Sequence, residues 1–241
     1  MVATRWKSFG ASVRGPGHLR AGAPNQDSFR IVKRLWGDVA VVSDGVGSRP
    51  TSEYGSAAAC RAVVCTAQNW KEMNDDRERF VSGIHKKWLD CVKPFDPNDS
   101  SATCLFAFRP TEEQIILGML GDGLIAVLKT DGSYMELCEN KNNGFSNQTD
   151  ALSENTQICQ WQTAAIAQEE CLAVLLCTDG VSDDLVPERR ADFAQNIYGQ
   201  GQTLAAVTAT GELRKMLENW PVPKHSDDKT LVCLYKCQEE T

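Results

Sequence analysis

Three observations on this 241-residue sequence predict an α+β fold, a four-layer sandwich of two antiparallel β-sheets flanked by pairs of α-helices. Apolar runs of strand length recur along the chain, each bounded by turn residues. Helical patterns come in two groups of two, which does not fit a β-α-β alternation. No repeat, low-complexity tract or Pro/Ser-rich linker divides the chain, so residues 1–241 are read as a single domain.

The elements follow in order. Residues 4–13 read as a first strand, followed by a Gly/Pro loop over 15–24. Residues 28–33 and 38–43 form a strand pair. Thr51 or Ser52 can cap a helix running to about Trp70. A second helix over 75–91 places Phe80, Ile84, Trp88 and Leu89 at helical spacing. Strands are expected at 103–108, 114–120 and 124–129, and Asp131-Gly132 then makes a two-residue hairpin turn into 133–137. The Asn-rich stretch 139–155 has no period and reads as an exposed, mobile loop. Strands resume at 157–163 and 171–178. Pro187 suits the first turn of a short helix and 202–219 a longer one, before a Pro-containing loop and a last strand at 231–235.

Apolar content of 42% is ample for a core. A formal charge of −7 without a Lys/Arg block argues against nucleic acid. The longest apolar runs fall far short of the ~20 residues that span a bilayer, so no membrane association is expected. The N-terminal residues lack the apolar segment of a signal peptide. Of ten cysteines, Cys104, Cys171, Cys177 and Cys233 sit inside apolar runs, as small hydrophobes do in reduced compartments. The expectation is a cytoplasmic protein, monomeric in solution.

The chemistry lies at the strand ends. Apolar runs end in Asp44-Gly45, in Gly121-Asp122-Gly123 and in Asp179-Gly180, and the pair Asp227-Asp228 opens the last run. A carboxylate at the end of a buried strand loses solvation and needs a counter-charge. Several that converge repel one another unless a cation neutralises them. The pattern points to a divalent metal site held by aspartates.

Taken together, Asn25-Gln26-Asp27, Ser43-Asp44-Gly45, Ser100-Ser101-Ala102-Thr103, Gly121-Asp122-Gly123, Thr178-Asp179-Gly180 and Asp227-Asp228 resemble the metal-dependent serine/threonine phosphatases of the PPM type, also called type 2C. The resemblance implies that Asp44 bridges two Mg²⁺ or Mn²⁺ ions, that the Gly45 carbonyl binds one of them, and that Asp179 and Asp227 complete the site. It implies an outer-shell role for Asp27 in orienting a water, and a further, weaker metal site at Asp122 and Asp183. Hard oxygen ligands suit these ions, which in pairs can supply hydroxide near neutral pH for in-line attack on phosphorus.

The chain also departs from the pattern. Gln26 stands where many members have Glu, and Val46 where eukaryotic members often carry histidine, which points to a bacterial-type member. Gly22 occupies the usual place of the phosphate-binding arginine, so Arg20 is the first candidate for that role, with Arg14 and His18 as alternatives. The implied activity is hydrolysis of phosphoserine or phosphothreonine on proteins that a Ser/Thr kinase has modified. Two rivals are a pseudophosphatase that binds a partner without turnover and a hydrolase of small phosphate esters.

Overall fold

The computed structural model describes residues 5–73, 76–111, 114–138 and 150–237. One sheet has the strand order β1 (Arg5–Val13), β10 (Lys229–Cys237), β9 (Cys171–Cys177), β6 (Leu124–Lys129) and β7 (Tyr134–Cys138). The other runs β2 (Ser28–Arg34), β3 (Gly37–Ser43), β4 (Cys104–Pro110), β5 (Gln114–Leu120) and β8 (Gln162–Ala167). All neighbouring strands are antiparallel.

Side-chain alternation along these strands builds the layers. Val39 and Val41 of β3 join Phe106 and Phe108 of β4 in a core with α2 (Ser52–Ala67) and α3 (Arg77–Cys91). The intervening Ala40, Val42, Leu105 and Ala107 face the other way, onto Val127, Val174, Leu176 and Val232 of the opposite sheet. The far face of that sheet, with Phe9, Leu175, Cys233 and Tyr235, packs against α5 (Arg190–Thr203) and α6 (Ala206–Glu218). Three cores therefore separate four layers, as the paired helices predict.

Several elements differ from the sequence reading. The Gly/Pro segment contains a short helix α1 (Pro16–Ala21), with Pro16 opening it and Gly22 closing it at φ 68°. The second helix starts at Arg77, where the Asp76 side chain accepts from the Glu78 and Arg79 amides. Residues 158–160 form a 3-10 turn rather than a strand, and β8 lies further on, in the alanine-rich 162–167. Small residues with weak strand preference hid this edge strand. Of the loop 139–155, residues 139–149 lie outside the described residues. Leu152 is buried, bridged to Ala102.

The short helix expected from Pro187 is a 3-10 turn at 187–189 that runs on into the longer α5, and the helix expected over 202–219 is α6; the two part at Leu204, extended at ψ 148° and packed on the core. The length of α5 escapes sequence reading because Gly199 and Gly201 lower helix propensity. A Cβ on Gly201 would sit 2.9 Å from Tyr235 Cζ and 3.0 Å from Phe9 Cε1, so glycine lets the helix approach the sheet. Gly199 faces open space. Opposite signs are expected. Gly201→Ala should destabilise by about 1–3 kcal/mol through overpacking. Gly199→Ala should stabilise by roughly 0.5–1 kcal/mol, since alanine is the better helix former. Urea unfolding midpoints measure both, and equal shifts would contradict this packing.

Candidate active site

A cleft of about 390 Å³ opens where the strand ends of both sheets meet. Its lining comes from segments far apart in the chain: Gly17, His18 and Gln26 near the start, then Asp44, Gly45, Val46 and Gly47, Thr103, Asp122 and Asp179, and finally Ser226 and Asp227.

Backbone pairing aims each acid. Past the end of β3 the Asp44 amide donates to Thr103 Oγ1 at 2.9 Å, and the Thr103 amide donates back to the Asp44 carbonyl at 2.8 Å. The Gly45 amide donates to the Gln26 carbonyl at 3.1 Å, tying this turn to the loop before β2. Asp122 sits in the turn between β5 and β6, flanked by Gly121 and Gly123 at positive φ. Asp179 begins the four-residue helix α4 (Asp179–Ser182) directly after β9.

Asp27 is buried and does not line the cleft. Its Oδ2 accepts from Thr178 Oγ1 at 2.8 Å, while Oδ1 has no hydrogen-bond partner among the described residues. The Thr178 hydroxyl in turn accepts from the Thr230 amide at 3.1 Å, so β9, β10 and Asp27 share one polar joint.

Asp44, Gly45, Asp122, Asp179 and Asp227 are thus brought together in the cleft. Asp183 lines an adjoining pocket of about 210 Å³ that shares Asp179, Ser226 and Asp227 with it. Arg20 lies exposed on α1 and lines neither cavity. Arg14 Nη1 donates to the Ala23 carbonyl at 3.1 Å.

Two residues to which sequence reasoning gave no role support this arrangement. Asp228 is 1% exposed and accepts from the Gly15 and Gln26 amides, both at 2.6 Å. Lys229 is also buried, with Nζ donating to the Asp227 carbonyl at 3.0 Å and lying 2.9 Å from His225 Nδ1. Their signal was the position beside Asp227, at the start of a strand whose residues are buried in succession.

Burial dominates the electrostatics. It pushes the Asp179 carboxyl up to about 8, with repulsion from Asp122, Asp227 and Asp27 adding to it. Asp44 lies well above the ordinary carboxylate range, again through burial first and then the charges of Asp27, Asp179 and Asp227. Burial also raises Asp27, against hydrogen bonds from Thr230 and Thr178 that lower it. Burial depresses Lys229, although Asp184 and Asp227 oppose the shift.

The donor chemistry fits hard divalent cations: oxygen-only ligands, crowded carboxyls, and an orphaned buried oxygen on Asp27. Among the described residues, no three or more His, Cys, Asp or Glu side chains close around a point. A cation held here would keep part of its water shell, as Mg²⁺ characteristically does.

The raised carboxyls give a stability test. Above pH ~4 the unfolded chain has released protons that the metal-free folded protein still holds, so stability falls as pH rises. The window runs from the ordinary value of 3.8 to about 8 for Asp179. The melting temperature of chelated protein should decline across this window, less steeply in Asp44→Asn, and Mn²⁺ should flatten the decline. A melting temperature that rises over the window would contradict the crowded-acid description.

A family model described as protein phosphatase 2C matches residues 14–218. No curated protein matches the chain significantly in sequence. Among solved structures, the catalytic domain of the serine/threonine protein phosphatase PstP, in complex with 2 manganese ions, superposes at TM-score 0.63. It is 15% identical, over 98% of this chain and 100% of that one. RsbX in complex with magnesium gives TM-score 0.62 at 16% identity, over 98% and 100% of the two chains. The photosystem II phosphatase PBCP gives TM-score 0.64 at 16% identity, over 96% and 98%. These likenesses establish the fold; the family match, which spans most of the chain, establishes kinship. The chain belongs to the protein phosphatase 2C family.

Proposed function

We propose that the protein is a metal-dependent serine/threonine phosphatase, a single catalytic domain that hydrolyses phosphoserine and phosphothreonine on proteins modified by a kinase. One observation carries the reading: a single cleft gathers Asp44, Asp122, Asp179 and Asp227 from four separate segments of the chain. So many carboxylates would repel a phosphate dianion unless cations intervened.

Asp44, the Gly45 carbonyl, Asp179 and Asp227 would hold Mg²⁺ or Mn²⁺, the ions bound in RsbX and PstP. Asp122 and Asp183, on the two sides of Asp179, would serve a further ion. Bound in pairs, such ions lower the pKa of a shared water and offset phosphate charge. Asp27, whose carboxyl accepts from Thr178, would position a water from the buried side. Arg20, exposed on α1, would meet a substrate phosphate from outside the cleft lining. All ten cysteines are free, five of them buried, which supports a reducing compartment such as the cytoplasm.

Hydrolysis of a phosphothreonine peptide should stop on chelation and return with Mn²⁺ or Mg²⁺. Asp179→Asn and Asp227→Asn should each cost at least about 100-fold in kcat, the upper end of what lost outer-shell partners cost metal enzymes. Full activity in excess chelator, or unchanged kcat in both variants, would refute the reading. Arg20→Ala should raise KM roughly ten- to a hundred-fold through loss of a charge-assisted contact, with Mn²⁺ affinity unchanged. An unaltered KM would remove Arg20 from substrate binding.

A further inference from the structure

The acids of the cleft account for cation binding but leave one requirement of ester hydrolysis unmet. A seryl or threonyl oxygen is a strongly basic leaving group, and its departure is aided by a proton donor in the transition state. Among the described residues lining the cleft there is no lysine, arginine, tyrosine or cysteine. The hydroxyls of Thr103 and Ser226 are far too weakly acidic, and the Gln26 amide cannot give up a proton. Among the described residues of the lining, His18 is the one side chain with an exchangeable ring proton.

His18 is also held in a defined way. Its Nδ1 lies 2.8 Å from Asp228 Oδ2. The carboxylate accepts, so Nδ1 carries a hydrogen and Nε2 is the ring nitrogen left for a ligand. The ring retains 24% exposure, whereas Asp228 retains 1%. Asp228 is itself fixed by the Gly15 and Gln26 amides on either side of α1. The helix is pinned further where the Gly17 amide donates to the Ser226 carbonyl at 2.8 Å. A buried carboxylate orienting an imidazole at the edge of a reaction cleft is the arrangement that sets a histidine for proton transfer.

We propose that His18 is the general acid of the reaction and that Asp228 is its positioning residue. This inference rests on the phosphatase reading. In the step, the bond between phosphorus and the seryl or threonyl Oγ breaks while a bond forms from phosphorus to the oxygen of water. The Nε2 proton of protonated His18 passes to the departing Oγ. One proton of the attacking water stays on the inorganic phosphate and the other is released to solvent, from which His18 is reprotonated.

The experiment compares two substrates with the full chain in Mn²⁺: a phosphothreonine peptide, and p-nitrophenyl phosphate, whose weakly basic leaving group departs without a proton. His18→Gln should lower kcat on the peptide by about 10²–10⁴-fold but on the aryl ester by less than about tenfold. His18→Arg, which keeps the positive charge but cannot donate near neutral pH, should show the same split. Asp228→Asn should share it, whereas a merely structural role would depress both substrates together. Mn²⁺ binding by calorimetry should be unchanged in His18→Gln.

Equal losses on both substrates, recovery of peptide turnover by His18→Arg, or lost Mn²⁺ binding would each overturn the assignment, the second by making His18 a phosphate clamp. Wild-type protein inert toward both substrates would fell the phosphatase reading and this inference with it.

Discussion

Carboxylates gathered where water is scarce are the constraint on which this structure depends. Asp27 and Asp44 are raised chiefly by burial, and Asp179 by burial together with its acidic neighbours. Without metal, the cleft concentrates negative charge at the end of the inter-sheet core. The fold must supply enough binding elsewhere to hold that arrangement, and the three apolar cores between its four layers do so. The strained end of the sandwich and its well-packed middle are two sides of one design.

The polar joints show how the chain holds these acids apart in role while keeping them close in space. Thr103 clasps the Asp44 backbone from both directions, and Thr178 links Asp27 to β10. Asp227 and Asp228 are neighbours with opposite fates: one faces the cleft, the other is buried under α1 and takes two backbone amides. Lys229 adds a buried cation against the Asp227 carbonyl. An acid that takes two backbone amides and has an imidazole beside it is fixed in place, whereas an acid open to the cleft is not held in this way.

Much of this was legible in the sequence, for a physical reason. Strands buried on both faces are continuous apolar runs, so β3, β5 and β9 and the aspartates after them stand out. What escaped notice depends on contacts between distant residues. Gly201 reads as a helix breaker until Tyr235 and Phe9 are seen against it. The alanines of β8 carry little strand preference and are placed by pairing with β5. His18 and Asp228 lie 210 positions apart, and no local pattern could join them. Arg20, chosen for its nearness in sequence to Asp27, lies exposed outside the cleft lining, while its helix neighbour His18 lines it.

The pairing of β1 with β10 has a consequence in time. Every residue from Arg5 to Val13 finds its partner only in the segment from Lys229 to Cys237. During synthesis from the N-terminus, the first strand must therefore wait until β10 has been made, with neither edge paired in the sheet. Asp227 and the anchor Asp228 arrive in the same late stretch. A partly made chain thus lacks both the closing strand and part of the acid cluster. Completion of this sheet and completion of the cleft are therefore one event.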